Sequence, residues 1–256
     1  MAIKHPFNDW VTCPFPRLQP VVRLFCFPYA GGGASIFRSW ATGLPEAIEV
    51  CPIQLSGREN RWREPPHETL EPLLAALAHA LYPFINLPFA FWGHSMGALI
   101  AYELAHYFQK LQYPSPNRLF ISGHRAPQCP NRHEPIHQLP ESEFIVRLFQ
   151  YGGIPKQALN EQELFKFLMP TLRADFSVTE RHSYKPGVPL NCSISAVGGT
   201  DDPYVNQEEL IAWEIHTRGE FKCRTLPGNH FFIRETHNKK QLLRFICDDL
   251  MIRCTE

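Results

Sequence analysis

The chain has 256 residues, of which 44% are hydrophobic, enough for the core of one large α/β domain or of one domain with an insertion. Its 25 Lys and Arg residues balance its 25 Asp and Glu residues. This zero net charge argues against binding to nucleic acid or to an anionic membrane, because such proteins usually carry a basic excess. No apolar run approaches the ~18 residues of a membrane-spanning helix, and the first ten residues lack the apolar region of a secretory signal.

The eight cysteines are scattered along the chain, and no two of them form a C-x-x-C pair. Several lie inside apolar runs, as buried free thiols do. This usage predicts a reduced, cytoplasmic protein.

The first half of the chain alternates between strand and helix patterns. A proline-rich segment over residues 1–20 predicts an extended lead-in with a short edge strand at best. The apolar run Val21–Pro28 predicts the first strand, and Ser35–Trp40 predicts the opening of a helix with Ser35 as its N-cap. The predicted elements that follow are a strand at Ile48–Leu55, a helix at Thr69–Tyr82, a strand at Phe89–Trp92 and a helix at Ala98–Phe108.

The second half contains three more predicted strands and a closing helix, at Arg118–Ser122, Leu190–Val197, Phe221–Leu226 and Lys240–Arg253. Residues 126–185 interrupt the alternation, since they hold no convincing strand and have helical patterns around Glu141–Tyr151 and Glu161–Leu168. We therefore expect an α/β fold with a mainly parallel sheet covered by helices on both faces. Residues 1–125 and 186–256 are expected to form its core, and residues 126–185 a helical insertion.

A G-x-S-x-G sequence, Gly93-His94-Ser95-Met96-Gly97, joins a predicted buried strand to a predicted helix. A serine at such a junction lies on a tight, strained turn. The flanking glycines are needed because a Cβ there would crowd the neighbouring strand and helix. The serine also lies at a helix N-terminus, whose free N–H groups favour negative charge. The pattern therefore predicts Ser95 as a catalytic nucleophile.

A nucleophilic serine needs a base, and in this architecture the chain order is serine, then acid, then histidine. His230 is predicted as the general base because it lies in a turn directly after the last strand, in Pro227-Gly228-Asn229-His230. The acid is expected after the preceding strand, in Gly199-Thr200-Asp201-Asp202-Pro203. Asp202 fits the usual Gly-x-x-Asp spacing, with Asp201 as the alternative. Its role would be to orient the imidazole and to stabilise its cationic form.

Other histidines are less well placed for catalysis. His94 flanks the nucleophile on the wrong side of the turn, so it is expected to pack or to hydrogen-bond. His106 lies along a buried helix, so it is expected to be a core histidine whose hydrogen bonds are satisfied. The segment His133-Glu134-Pro135-Ile136-His137 matches the H-E-x-x-H pattern of zinc proteases. Pro135 argues against the regular helix that this zinc chemistry requires. Neither a metal site nor an organic cofactor is predicted.

The oxyanion of an acyl-transfer reaction needs two backbone N–H donors. Met96, the residue after the nucleophile, is predicted to provide one of them. The other is expected from the loop Pro28-Tyr29-Ala30-Gly31-Gly32-Gly33, where we assign Ala30, with Tyr29 or Gly31 as the alternative. The glycines of this loop do not fit the spacing of phosphate-binding loops.

Together these segments resemble the type II thioesterases of the α/β-hydrolase superfamily, over about residues 23–250. Besides the motifs above, the resemblance is carried by the segments LFCFPYAGG at 24–32, QLSGRE at 54–59 and PTLRAD at 170–175. Ser56 stands where many relatives have proline. The resemblance implies an α/β-hydrolase fold in which residues 126–185 form a mobile lid. It also implies hydrolysis of acyl groups from the phosphopantetheine arm of carrier proteins, which removes aberrant or stalled chains in nonribosomal peptide or polyketide synthesis.

The resemblance also assigns the site. Ser95, Asp202 and His230 fall on the family's triad, and Ala30 and Met96 on its oxyanion donors. Docking of an acidic carrier domain is expected near the lid. The cationic side chains that could contact it are Arg147, Lys156, Arg173 and Arg181. For each of them, an ordinary solvated charge is an equally good interpretation. Two alternatives stay open. One is a chain-terminating medium-chain fatty-acyl thioesterase or a small-ester hydrolase of the same fold, and the other is a non-catalytic binding protein.

Overall fold

A parallel β-sheet of six strands forms the centre of the protein, in a computed structural model that describes residues 7–153 and 162–253. The strands are β1 (Val22–Phe27), β2 (Ile48–Pro52), β3 (Phe89–His94), β4 (Arg118–Ser122), β5 (Ser193–Gly199) and β6 (Phe221–Leu226). They lie side by side in the order β2-β1-β3-β4-β5-β6, and each neighbouring pair is parallel. Every residue of β1 to β4 is buried, as expected for strands that are covered on both faces.

Helices cover both faces of this sheet. They are α1 (Arg38–Ala41), α2 (Leu70–Leu81), α3 (Met96–Lys110), α4 (Glu141–Tyr151), α5 (Gln162–Glu180), α6 (Gln207–Ile211) and α7 (Thr236–Asp249). Alternate residues of β1 belong to two different hydrophobic clusters, because successive side chains of a strand point to opposite faces. Phe25 packs in the cluster that holds the apolar residues of α2 and α3, whereas Leu24 packs in the one that holds those of α7. The predicted parallel sheet with helices on both faces is confirmed.

The proline-rich lead-in pairs with the edge of the sheet over a few residues only. Val11 forms an isolated antiparallel bridge with Ile53. The N–H of Thr12 donates to the Pro52 carbonyl at 3.0 Å. This is the short edge pairing that the prolines predicted. Within the described residues, we find no helix with both the length and the apolar character needed to cross a membrane.

The prediction that Ser35 caps a helix was wrong. A 3-10 turn at Ala34–Phe37 has Gly33 as its N-cap and precedes α1. The Ser35 hydroxyl instead donates to the Glu59 carboxylate at 2.6 Å. The reason is position, because an N-cap hydroxyl must precede the first turn to accept one of its free N–H groups, whereas Ser35 lies inside the turn.

Helices α4 and α5 lie between β4 and β5 in the chain and pack on each other through a third hydrophobic cluster, formed by Ile136, Phe144, Leu148, Phe165, Met169 and Leu172. The helix predicted over Glu161–Leu168 continues through Pro170 to Glu180. Glu161, where the predicted helix begins, lies outside the described residues. The division of the chain into a core and a lid over residues 126–185 stays a prediction.

Candidate active site

Ser95 lies on the turn between β3 and α3, with φ of 54° and ψ of −120°. A positive φ is strained for a residue with a side chain. The Ser95 backbone is held in this conformation by a hydrogen bond from its N–H to the Ser122 carbonyl at 2.8 Å. The flanking glycines explain the local sequence. A Cβ on Gly93 would overlap the Gly97 carbonyl, and one on Gly97 would overlap the carbonyl of Phe27 on β1. The expected crowding at this turn is therefore present.

His230 connects Ser95 to Asp202 through two short contacts. Its Nε2 lies 2.9 Å from the Ser95 hydroxyl, and its Nδ1 lies 2.8 Å from Asp202 Oδ2. The other carboxylate oxygen of Asp202 accepts the N–H of Tyr204 at 2.8 Å. An ionised carboxylate only accepts hydrogen bonds, so this arrangement places the ring proton on Nδ1. Nε2 is then free to accept the proton of the Ser95 hydroxyl.

These three side chains meet because each follows the carboxyl end of a parallel strand. Ser95 follows β3, Asp202 follows β5 and His230 follows β6. The carboxyl ends of parallel strands share one edge of the sheet. The turns that carry Asp202 and His230 approach closely, since a Cβ on Gly199 would overlap the carbonyl oxygens of Gly228 and Asn229.

Asp201 is placed differently from Asp202. Its side chain is exposed and accepts a hydrogen bond from the Thr200 hydroxyl at 2.9 Å. The Asp202 carboxylate, in contrast, is completely buried against the imidazole of His230. The structure thus brings Asp202, and not Asp201, into contact with His230.

The two backbone groups predicted to bind the oxyanion line the same cavity as Ser95. Met96 is the first residue of α3, so its N–H has no acceptor within the helix. In the loop after β1, the N–H of Gly31 already donates to Asp175 Oδ2 at 2.7 Å. This bond removes Gly31 from the alternatives. Ala30 stays the assigned donor, and Tyr29 the alternative.

Two further histidines surround the base, and burial keeps both of them neutral. His94 is fully buried, and its Nδ1 lies 2.8 Å from the Ser122 hydroxyl. Its ring centroid lies 5.3 Å from that of His230. Burial lowers the pKa of His94 well below its usual value, and it lowers the pKa of His124 to about 3. The two imidazoles beside His230 are therefore neutral and not cationic.

A cavity of about 550 Å³ opens above Ser95 and His230. Part of its wall is the loop after β1, and another part is made by apolar side chains of α4 and α5, namely Leu148, Phe165, Leu168, Leu172 and Phe176. A mostly apolar cavity with a few polar groups at one end is typical of small-molecule sites. It has the character needed to hold an acyl chain with its carbonyl at Ser95.

A buried ion pair beside this cavity joins the loop after β2 to α5. The guanidinium of Arg58 donates to both carboxylate oxygens of Asp175, at 2.6 and 2.7 Å. The two residues are 117 positions apart in the chain. The segments that contain them, QLSGRE and PTLRAD, contributed to the family resemblance but predicted no contact between them. No local pattern links an arginine in one loop to an aspartate on a distant helix.

The H-E-x-x-H segment is not helical in the structure. His133 packs on the Tyr204 ring with centroids 4.9 Å apart, and His137 Nδ1 lies 2.6 Å from the Glu180 carboxylate. His106 is half-buried rather than in the core, and its ring packs 4.7 Å from that of Tyr102. Its Nε2 is buried without a hydrogen-bond partner among the described residues.

Within residues 7–153 and 162–253, one cluster of metal-ligating side chains lies elsewhere, at the edge strand β2. It consists of Cys13, Glu49 and Cys51, whose ligand atoms lie within 4.8 Å of one another. Both carboxylate oxygens of Glu49 already accept hydrogen bonds, from Arg23 Nε at 2.8 Å and from the N–H of Arg17 at 3.1 Å. The cluster is therefore a pair of thiols beside an ion pair.

The cations expected to contact a carrier domain have different surroundings. Arg173 donates to the His137 carbonyl at 2.7 Å and lies over the Phe144 ring at 4.4 Å, which gives it a structural role. Arg147 and Arg181 are exposed. Lys156 lies outside the described residues.

A family model described as a thioesterase domain matches residues 22–250. The gramicidin S biosynthesis protein GrsT of Aneurinibacillus migulanus is 45% identical over 245 residues, which are 96% of this chain and 95% of that protein. The structure of RedJ, a thioesterase from the prodiginine pathway of Streptomyces coelicolor, has a TM-score of 0.84 and 38% identity, covering 90% of this chain and 86% of that one. BorB, a type II thioesterase from the borrelidin biosynthetic cluster, has a TM-score of 0.85 and 30% identity, covering 97% and 99%.

Proposed function

Because the chain belongs to the thioesterase domain family and is a thioester hydrolase with the α/β-hydrolase fold, we propose that its substrates are acyl groups on the phosphopantetheine arm of carrier proteins. Its role would be to remove aberrant or stalled acyl chains during nonribosomal peptide or polyketide synthesis. The similarity to RedJ and to BorB over almost the whole chain supports this role. A cytoplasmic location is part of the proposal, since buried thiols such as Cys26 and Cys192 suit a reducing compartment.

The observation that carries the proposed mechanism is the line from Ser95 through His230 to Asp202, with contacts of 2.9 and 2.8 Å. His230 Nε2 takes the proton of the Ser95 hydroxyl as its oxygen attacks the thioester carbonyl. The N–H groups of Met96 and Ala30 bind the resulting oxyanion. Collapse of the tetrahedral intermediate breaks the carbon–sulfur bond, and the imidazolium returns its proton to the leaving pantetheine thiolate.

The second half of the proposed reaction releases the acid. His230 takes a proton from water, whose oxygen attacks the acyl-serine carbonyl, and the same donors bind the second oxyanion. Expulsion of the Ser95 alkoxide, which regains its proton from His230, frees the carboxylic acid. Asp202 accepts the Nδ1–H throughout and stabilises the imidazolium in both steps.

The surface around the cavity is the proposed docking site for the carrier domain. Arg147 on α4 and Arg181 just after α5 are exposed cations that an acidic carrier domain would contact. Arg173 is dropped from this set because its guanidinium is engaged by the His137 carbonyl.

The proposal is tested by comparing kcat/KM on three substrates with an oxygen or a thioester link. They are a short acyl group on a carrier protein, a medium-chain fatty acyl group on the same carrier, and the oxygen ester of the same short acid. We expect the short acyl carrier to be hydrolysed fastest. A preference for the medium chain would support a chain-terminating fatty-acyl thioesterase instead, and a preference for the oxygen ester would support a small-ester hydrolase.

A further inference from the structure

We propose that Asp175 is a positioning residue, which holds the turn after β1 in the place from which the Ala30 N–H can donate to the bound carbonyl. This inference rests on the proposed function, because it concerns an oxyanion donor of that reaction. Asp175 lies on α5 and touches neither Ser95 nor His230 in any described hydrogen bond. Its effect on the reaction would therefore pass through the loop.

The loop contains a β-turn from Tyr29 to Gly32. The Gly32 N–H donates to the Tyr29 carbonyl at 2.9 Å and closes the turn. Gly31 has φ of +76°, whereas Ala30 is not among the residues with positive φ, and this combination defines a type II turn. The Tyr29 carbonyl and the Ala30 N–H share one planar peptide and point in opposite directions. The closing bond of the turn thus fixes the direction of the Ala30 N–H.

The central peptide of this turn is held by Asp175. Its Oδ2 accepts the Gly31 N–H at 2.7 Å. Types I and II of a β-turn differ by the orientation of the peptide between the two central residues, here Ala30 and Gly31. Rotation of that peptide would turn the Gly31 N–H away from the carboxylate but would leave the closing bond, and with it the direction of the Ala30 N–H, unchanged. The bond to Asp175 therefore fixes where the whole turn lies relative to α5, because it holds the Gly31 N–H at the carboxylate.

Arg58 fixes Asp175 and the end of the turn together. Its guanidinium donates to both oxygens of Asp175 and, at 3.1 Å, to the Gly32 carbonyl. The exposed fractions of the Arg58 and Asp175 side chains are only 6% and 4%. A bidentate pair in such a buried place is stronger and more specific in geometry than one in water. The turn is therefore anchored at two successive residues.

The face of α5 that carries Asp175 contacts both the loop after β1 and the loop after β2. A Cβ on Gly31 would lie 2.6 Å from a methyl carbon of Leu172, and the Thr171 hydroxyl donates to the Gly57 carbonyl at 2.7 Å. Leu172 also lines the cavity above Ser95. The acceptor of the Gly31 N–H thus comes from a helix that also lines the cavity, and displacement of α5 from the loop would remove that acceptor.

The experiment is the substitution Asp175→Asn, with Glu49→Gln as its matched control. Loss of one oxyanion donor lowers kcat by about 10²- to 10³-fold in other enzymes. Because Asp175 acts on such a donor indirectly, we expect kcat to fall about 10- to 100-fold with KM unchanged within about threefold. Phosphonylation of Ser95 by a fluorophosphonate should slow similarly, because its phosphoryl oxygen also needs the donors.

The control Glu49→Gln removes the carboxylate of another buried ion pair, which Glu49 forms with Arg23. The exposed fractions of the Glu49 and Arg23 side chains are 0% and 7%. It should lower the thermal stability in a similar way and leave kcat within about threefold of the wild type. If Asp175→Asn does not fold, Arg58→Lys replaces it, since lysine keeps the charge and loses the bidentate geometry, and the same fall in kcat is expected.

Two results would overturn the inference. One is wild-type kcat in the folded Asp175→Asn or Arg58→Lys protein, and the other is an equal loss of kcat in Glu49→Gln. Failure of the proposed function looks different, because the wild-type protein would then prefer the medium chain or the oxygen ester, and failure of the nucleophile assignment would leave turnover in Ser95→Ala. A Ser95→Ala protein without activity beside a fully active Asp175→Asn protein would contradict the positioning role alone.

Discussion

Replacing Asp202 by asparagine should misplace one proton in the site. The Tyr204 N–H donates to Asp202 Oδ1 at 2.8 Å, so the amide oxygen of the new residue is held at that position. The amide NH₂ group then takes the place of Oδ2, 2.8 Å from His230 Nδ1. An NH₂ group donates, so Nδ1 must accept and the ring proton moves to Nε2. The imidazole can then no longer accept the proton of the Ser95 hydroxyl.

The expected loss of kcat is about 10⁴-fold, the size found when the acid of another Ser-His-Asp triad is replaced in this way, or about 5.5 kcal/mol of activation free energy. The assay is hydrolysis of an acyl-pantetheine thioester at pH 7, at saturating substrate. Asp201→Asn is the control, because that carboxylate is exposed and only accepts the Thr200 hydroxyl, and its kcat should stay within about twofold of the wild type. Equal losses in the two variants, or a larger loss at position 201, would refute this reasoning.

Three other substitutions test the fold and the cavity. Gly97→Ala places a Cβ on the Phe27 carbonyl, so we expect a lower melting temperature together with loss of activity, and wild-type values of both would contradict the steric account. Burial alone would raise the pKa of Asp249, but hydrogen bonds, above all from Arg224, outweigh it and lower the pKa to about 2, below its ordinary value of 3.8. Its ionised form therefore stabilises the fold above about pH 4, and this contribution is lost as the pH falls toward 2. In urea denaturation, Asp249→Asn should lower the free energy of unfolding by about 3 kcal/mol at pH 7. The difference from the wild type should shrink below pH 4, and a difference that stays constant with pH would refute the link between this ionisation and stability. Leu148→Trp narrows the cavity, so kcat/KM should fall more for long acyl chains than for short ones, and an equal fall would argue that the chain lies elsewhere.

The nucleophile turn could be predicted from the sequence because its constraints fall on a five-residue pattern. Gly93 is required by a contact within the turn and Gly97 by the close approach of β1, and both glycines belong to that pattern. His230 and Asp202 could be placed by a topological rule, since side chains that follow parallel strands collect at one edge of the sheet. Predicting these two residues required only approximate boundaries for the strands that precede them.

The positions of Arg58 and Asp175 could not be predicted in the same way. Their contact joins a loop after β2 to a helix that starts more than a hundred residues later, and its geometry depends on how α5 packs on the core. The predicted helix ended too early, at Leu168, because Pro170 removes one backbone hydrogen bond. In the structure, the packing of α5 maintains the helix beyond this proline. The short helix α6 was missed, although its capping box of Asn206 and Glu209 is a local signal that could have revealed it.

The acyl-enzyme itself offers the most direct measurement of the mechanism. Wild-type protein mixed rapidly with an acyl-pantetheine thioester and quenched in acid should carry the mass of one acyl group, on the peptide that contains Ser95. Ser95→Ala should form no such adduct, and its kcat should fall by several orders of magnitude, to about the residual rate left by the oxyanion donors and binding. An acyl group on a different residue, or turnover that survives in Ser95→Ala, would contradict the account.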